Sequence, residues 1–144
     1  MTADTAGDDT IDEQANALVH GAMPFATALG IEILEGSKER VRARMAWDAS
    51  KCTSGGVMHG GALMAFADTL GGTAAFLNLP EGAGTTTIES KTNFFRAVTK
   101  GHVYGTTTPL HVGRRVIVLE TDLTDDDGKR VARVTQSQMV LSSS

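Results

Sequence analysis

The chain is poor in the residues that staple, stack and coordinate. Of its 144 residues, one is cysteine, one tryptophan, one tyrosine and three proline. A single thiol, Cys52, cannot build an intrachain disulfide framework, and it fits a reducing, cytoplasmic compartment. Seven aromatics (five Phe, one Trp, one Tyr) and a net charge of −4 leave no basic surface with interleaved rings, so no nucleic-acid partner is expected. The four histidines, His20, His59, His102 and His111, have no metal-ligand spacing. Cys52 has no evident base, which speaks against a cysteine nucleophile. The stretch "GGVMHGG" lacks the Lys-Ser/Thr end of a phosphate-binding loop. Neither a metal nor a bound cofactor is therefore expected.

The N-terminus, "MTADTAGDDTIDEQ", is acidic and has no apolar run, unlike a signal peptide. A flexible acidic tail is expected over 1–11 and a single domain over 12–142. One long apolar stretch stands out, residues 57–77. From Val57 to Leu77 it has no Lys, Arg or Glu, and its one acid is Asp68. Its length just reaches the ~20 residues of a membrane span. It is rich in Gly and Ala, however, and carries Asp68 at its centre, so it reads as a buried central helix and no membrane association is expected.

Around this stretch the pattern is mixed. Short helices are expected at 12–20 and 23–30, with Pro24 in a first turn and Gly30 as a stop. "IEILEG" (31–36) and "ERVRARMAW" (39–47) alternate with period two; Val41, Ala43, Met45 and Trp47 fall on one face. Four further strand-like runs follow at 85–95, 101–113, 114–125 and 129–142, the last two joined by a hairpin turn at "DDDGK". Antiparallel strands with one long helix give an α+β class. A helix apolar nearly all round must be covered on most sides, which a strongly curved sheet would do.

At ~100° per residue, Gly61, Ala65, Asp68 and Gly72 fall on one helix face. Apart from Asp68, that stripe reads as nearly free of side-chain bulk. Asp68 thus faces a partner or substrate rather than the sealed core, where an unpaired charge would be expensive. The helix start, "MHGGA", offers N–H groups with nothing bulky in front of them, a setting that binds anions or a developing oxyanion. The plainer reading is that Gly60 and Gly61 only allow a tight turn into the helix. Eight residues separate Gly60 from Asp68, ~12 Å along the axis. If they act on one carbonyl, the acid and the amide must come from two subunits, which asks for a dimer with antiparallel helices.

These residues resemble the hotdog-fold acyl-CoA thioesterases, in particular their PaaI-like (phenylacetic-acid-pathway) branch. The likeness rests on His59-Gly60-Gly61, Ala67-Asp68, "NFFRAVTKGHVYGTTTPLHVGRR" and "PFATALGIEIL", and covers about residues 20–142. It implies a hotdog fold, a curved antiparallel sheet around one long central helix. It also implies hydrolysis of an acyl-CoA to a free acid and CoA, with CoA present only as part of the substrate. Asp68 matches the catalytic carboxylate, as nucleophile or as base for water, and Gly60 the oxyanion donor. His59 matches a structural or carbonyl-proximal position. Thr53 stands where relatives often carry Asn or Gln, with a shorter reach. Gly72 stands where some relatives carry a hydroxyl, with Thr73 beside it. Gly61 and Thr73 would line the substrate site; His111 and Gly113 would give backbone contacts to CoA, and Arg114, Arg115 and Arg96 phosphate contacts. For these arginines, solvated surface charge is the equal alternative. Relatives commonly form homodimers and dimers of dimers. The rival reading is a non-catalytic acyl-CoA-binding module on the same fold; hydratase chemistry is a third.

Overall fold

The computed structural model describes residues 9–142. Of the tail expected over 1–11, residues 1–8 lie outside the described residues, and residues 9–11 have no helix or strand. In chain order come α1 (Glu13–Ala22), α2 (Pro24–Leu29), β1 (Glu32–Gly36), β2 (Val41–Ala46), α3 (Gly60–Leu77), β3 (Gly84–Phe94), β4 (His102–Val112), β5 (Val116–Thr124) and β6 (Arg130–Leu141).

The six strands form one antiparallel sheet in the order β1-β2-β4-β5-β6-β3. α3 touches all six of them. Six strands spaced ~4.8 Å apart are wider than a helix of ~10 Å diameter, so a sheet that meets one helix with every strand must curl around it. Alternation sets which side chains face inward. β5 buries Ile117, Leu119 and Leu123, and β2 buries Val41, Ala43 and Met45, against Leu63, Phe66 and Leu70 of α3. Each large side chain removed from water in this way contributes ~1.5–3 kcal/mol. At one point backbone and helix come very close: a Cβ on Gly105 of β4 would lie 3.0 Å from Leu70 and 3.1 Å from Phe66.

Trp47, just past the end of β2, follows Val41, Ala43 and Met45 onto the core side: it is half-buried against the core, and its indole Nε1 donates to Gly56 O at 3.0 Å. One expectation needs correction: the uncovered stripe of α3 is not nearly free of bulk. Alongside Gly61 and Asp68 it exposes Met64 and Phe76, which follow the same three-to-four-residue spacing. The neighbouring edge strand β3 is open on both faces, and Ile88, Phe94 and Phe95 are exposed there or just beyond its end. Ile88 is the extra residue of a bulge between Thr87 and Glu89. Among the described residues no helix is long and apolar enough to cross a membrane.

Candidate active site

The loop before α3 is tied down at several points, and these fix where the helix begins. Met58 N donates to Val98 O, and His59 N to Lys51 O, both at 2.8 Å. Gly55 and Gly56 hold the turn with φ of 77° and 71°, which side chains with a Cβ rarely adopt. The Asp48 carboxyl, held below the usual carboxylate range by hydrogen bonds from Ser50 Oγ and N, caps the preceding turn. Burial lowers the Lys51 ammonium from the usual lysine range, with Asp48 opposing; its Nζ donates to Ala46 O at 2.8 Å.

The first four N–H groups of a helix have no partner inside it. In α3 these are the N–H groups of His59, Gly60, Gly61 and Ala62, and three are satisfied locally. His59 N–H donates to Lys51 O, Gly61 N–H to His59 Nδ1 at 2.7 Å and Ala62 N–H to His59 O at 2.9 Å, while Leu63 N–H to that same carbonyl at 3.2 Å is the first regular helical bond. Gly60 N–H remains, with no acceptor among the described residues. Above it lies the Phe94 ring, whose Cζ would be 3.3 Å from a Cβ at Gly60. His59 is thus the N-cap of α3, and a ring nitrogen that accepts at Nδ1 places its proton on Nε2.

Asp68 lies two turns further on, on the exposed stripe. It is held from behind: Gln136 Nε2 of β6 donates to Asp68 Oδ1 at 2.6 Å. Gln136 is 1% exposed. Nothing in the helix motif points to this residue. Its signal is parity, since Gln136 and Gln138 are in phase with the buried Ala132 and Val134 on one face of β6.

The remaining residues are spread out. Thr53 is exposed at the head of the Ser54–Gly56 turn, and its side chain makes no capping hydrogen bond. Thr73 is buried and its hydroxyl donates to Thr69 O at 2.7 Å, so it presents its methyl to neighbours. Arg96 is exposed just past β3, at the Phe94 end where Gly60 lies. His111, Gly113, Arg114 and Arg115 form the β4–β5 hairpin. A Cβ on Gly113 would lie 2.6 Å from His111 Nε2 and 2.9 Å from Val116 O, so the turn needs glycine. Val116 pairs with Met139 of β6, whereas Phe94 pairs with Ala132. Seven strand residues, ~23 Å, separate those two levels. Within one protomer the hairpin arginines and Arg96 are therefore at opposite ends of the sheet. Among the described residues no group of three or more His, Cys, Asp or Glu could hold a metal.

The thioesterase superfamily model matches residues 55–132. The proofreading thioesterase EntH of Cronobacter sakazakii is 33% identical over 129 residues, covering 90% of this chain and 93% of its own. The crystal structure of a thioesterase of Haemophilus influenzae superposes with a TM-score of 0.83 at 29% identity, covering 90% of this chain and 89% of that one. A mutant thioesterase of Pseudomonas aeruginosa gives 0.83 at 26% identity, covering 94% and 96%.

The capping role of His59 is open to test. His59→Ala should cost ~1 kcal/mol of folding stability, the usual worth of an N-cap, while His59→Asn keeps an acceptor and should stay close to the parent. Urea denaturation of the two variants measures this, and an Ala variant as stable as the parent would refute the cap.

Proposed function

The chain belongs to the thioesterase superfamily, has the hotdog fold and is a thioester hydrolase; from that premise we propose that it cleaves acyl-CoA, with Asp68 of one subunit and Gly60 N–H of the partner subunit. The observation that carries this reading is a pairing on α3: one carboxylate on the open stripe, and one N–H left over at the helix start. A module that only binds acyl-CoA has no need of the acid.

The chemistry follows from these two groups. The thioester carbonyl oxygen gains negative charge as its carbon is attacked, and the free N–H at the positive end of α3 stabilises it. Asp68 either attacks the carbon itself, expelling the CoA thiolate as the C–S bond breaks and giving an anhydride that water then opens with its proton passing to the thiolate, or removes a proton from the attacking water. In the second route the collapsing intermediate expels the CoA thiolate, which takes that proton. Both routes consume one water and give acid and thiol. The ~12 Å between Gly60 and Asp68 on one helix supports a site shared across a homodimer. So do the open edge of β3 and the exposed Met64, Phe76, Ile88 and Phe94, which a second copy would cover. A dimer of dimers and a cytoplasmic setting complete the proposal. The hairpin arginines would then meet CoA phosphates only where assembly brings them to a site.

A cavity of about 230 Å³ supports an apolar acyl group. It lies one turn beyond Asp68, lined by Leu18, Met23, Gly72, Thr73, Phe76 and Thr85. Both threonine hydroxyls are engaged, Thr73 with Thr69 O and Thr85 with Gln138 Oε1 and Met139 O. The wall therefore has no free hydroxyl proton to offer a substituted acyl chain.

Three outcomes are expected. Asp68→Asn should fold normally and lose at least ~10²-fold in kcat, because the amide can act neither as nucleophile nor as base; a near-parental rate would sink the assignment. Across a panel of acyl-CoA thioesters assayed by thiol release, unsubstituted apolar acyl groups should exceed hydroxylated analogues of equal size by ~10-fold or more in kcat/KM, since each unpaired hydroxyl costs ~1–3 kcal/mol. Equal rates would take this cavity out of the acyl site. Finally, Gly60→Pro removes the N–H at a helix position that tolerates proline. Mixed with Asp68→Asn under subunit exchange, it should restore up to roughly a quarter of parental activity, through the one intact site of each heterodimer. Silence despite exchange verified by mass spectrometry would argue against a shared site.

A further inference from the structure

A buried glutamine with one unpaired oxygen is an odd neighbour for a catalytic acid unless it serves that acid. Gln136 Nε2 donates to Asp68 Oδ1 at 2.6 Å and to Thr87 Oγ1 of β3 at 3.3 Å. Its Oε1 is buried and has no hydrogen-bond partner. The amide orientation is set by its neighbours: turned the other way, it would point an acceptor at a carboxylate, and repulsion would replace the bond.

Room for the amide comes from the helix. A Cβ on Gly71 would stand 1.7 Å from Gln136 Oε1 and 2.7 Å from Cδ. Only a residue without a side chain lets β6 push a polar group this far into α3. The site is also braced from behind. Thr87 Oγ1 accepts from Gln138 Nε2 at 2.8 Å, and Gln138 Oε1 accepts from Thr85 Oγ1 at 3.0 Å. Packing alone does not explain the arrangement, since leucine or methionine would fill the space without a desolvated, unpaired oxygen.

We infer that Gln136 is the positioning residue of Asp68: it clamps Oδ1, leaving Oδ2 turned to the open stripe as the atom that attacks or takes the proton. Among the described residues Gln136 is the only hydrogen-bond partner of Asp68, so the clamp alone fixes the rotation of the carboxylate. The inference rests on the catalytic reading of Asp68 given above.

The test is a double-mutant cycle on the intact protein. Gln136→Met keeps the length and removes the donor. Its kcat should fall ~10–100-fold, the scale of an active group misplaced by about an ångström, with KM within ~3-fold. In the Asp68→Asn background the same change should cost less than ~2-fold more, because there is no longer a base to orient. Gly71→Ala is the second variant: its Cβ displaces the amide while alanine favours the helix, and its kcat should fall on the same scale. Thermal melts confirm that each variant is folded. If Gln136→Met does not fold, Gly71→Ala decides alone. A folded variant with parental kcat beside an inactive Asp68→Asn overturns the positioning role and leaves the catalytic reading standing. An equal further loss in the Asp68→Asn background also overturns it, since the glutamine would then act on something other than Asp68. An active Asp68→Asn overturns both.

Discussion

A helix buried around most of its circumference can hold a carboxylate only along the line its sheet leaves open. α3 meets that constraint on every turn. Leu63, Phe66, Ala67, Leu70 and Ala74 face the sheet and are almost fully buried, while Gly61, Met64 and Asp68 do not. A six-stranded sheet with β1 and β3 as its edge strands curls far around one helix, yet it does not close on itself. α1 packs on β1 and α2 on α3, filling part of what is left. The remaining strip is where a charge is solvated without leaving the helix.

The start of the same helix solves a different problem. Four N–H groups there lack helical partners, and a fold that satisfied all four would leave no free donor at this end of the helix. His59 divides them. Its own N–H goes to Lys51 O, its ring takes the N–H of Gly61 and its carbonyl that of Ala62, which leaves the N–H of Gly60. Histidine suits this position because Nδ1 reaches back to the N–H two residues on, as an Asn or Asp oxygen would. The motif His59-Gly60-Gly61 thus combines a cap with a vacant donor. A Cβ on Gly61 would lie 2.8 Å from that same Nδ1, so the second glycine protects the cap.

Much of this was legible in the chain. The alternating runs at 31–36 and 39–47 and the strand-like runs from Thr85 onward marked all six strands to within a few residues, because side chains alternate and every strand except the open edge β3 buries residues. Asp68 was conspicuous as the one charge in an apolar helix, and Gly60 as a bare helix start. What could not be read were contacts made across large sequence separations. Gln136 is 68 residues from Asp68, and polar residues in a strand ordinarily suggest the solvent face. Only its phase with Val134 hinted otherwise. Met64 and Phe76 look like core residues by composition; they lie outside because the sheet runs out before it reaches them. The separation of Arg96 from Arg114 and Arg115 follows from strand register, which bulges such as those at Ile88 and Leu110 shift by one residue without any mark in the sequence.

The two glutamines of β6 connect features that look independent. Hydrogen bonds run from Asp68 through Gln136 and Thr87 to Gln138 and then Thr85. Thr85 is also a wall of the apolar cavity beyond Asp68. Its hydroxyl turns away from that space because Gln138 Oε1 and Met139 O accept its proton. One end of the chain therefore aims an acid at the open stripe, and the other withdraws a polar group from the neighbouring cavity. A buried polar row is tolerated in a core only when its members satisfy one another, and here one acceptor is left over, Gln136 Oε1, pressed against Gly71. The fold carries that cost at the link that touches the carboxylate. A row serving the cavity alone could begin at Thr87 and would need no amide at 136.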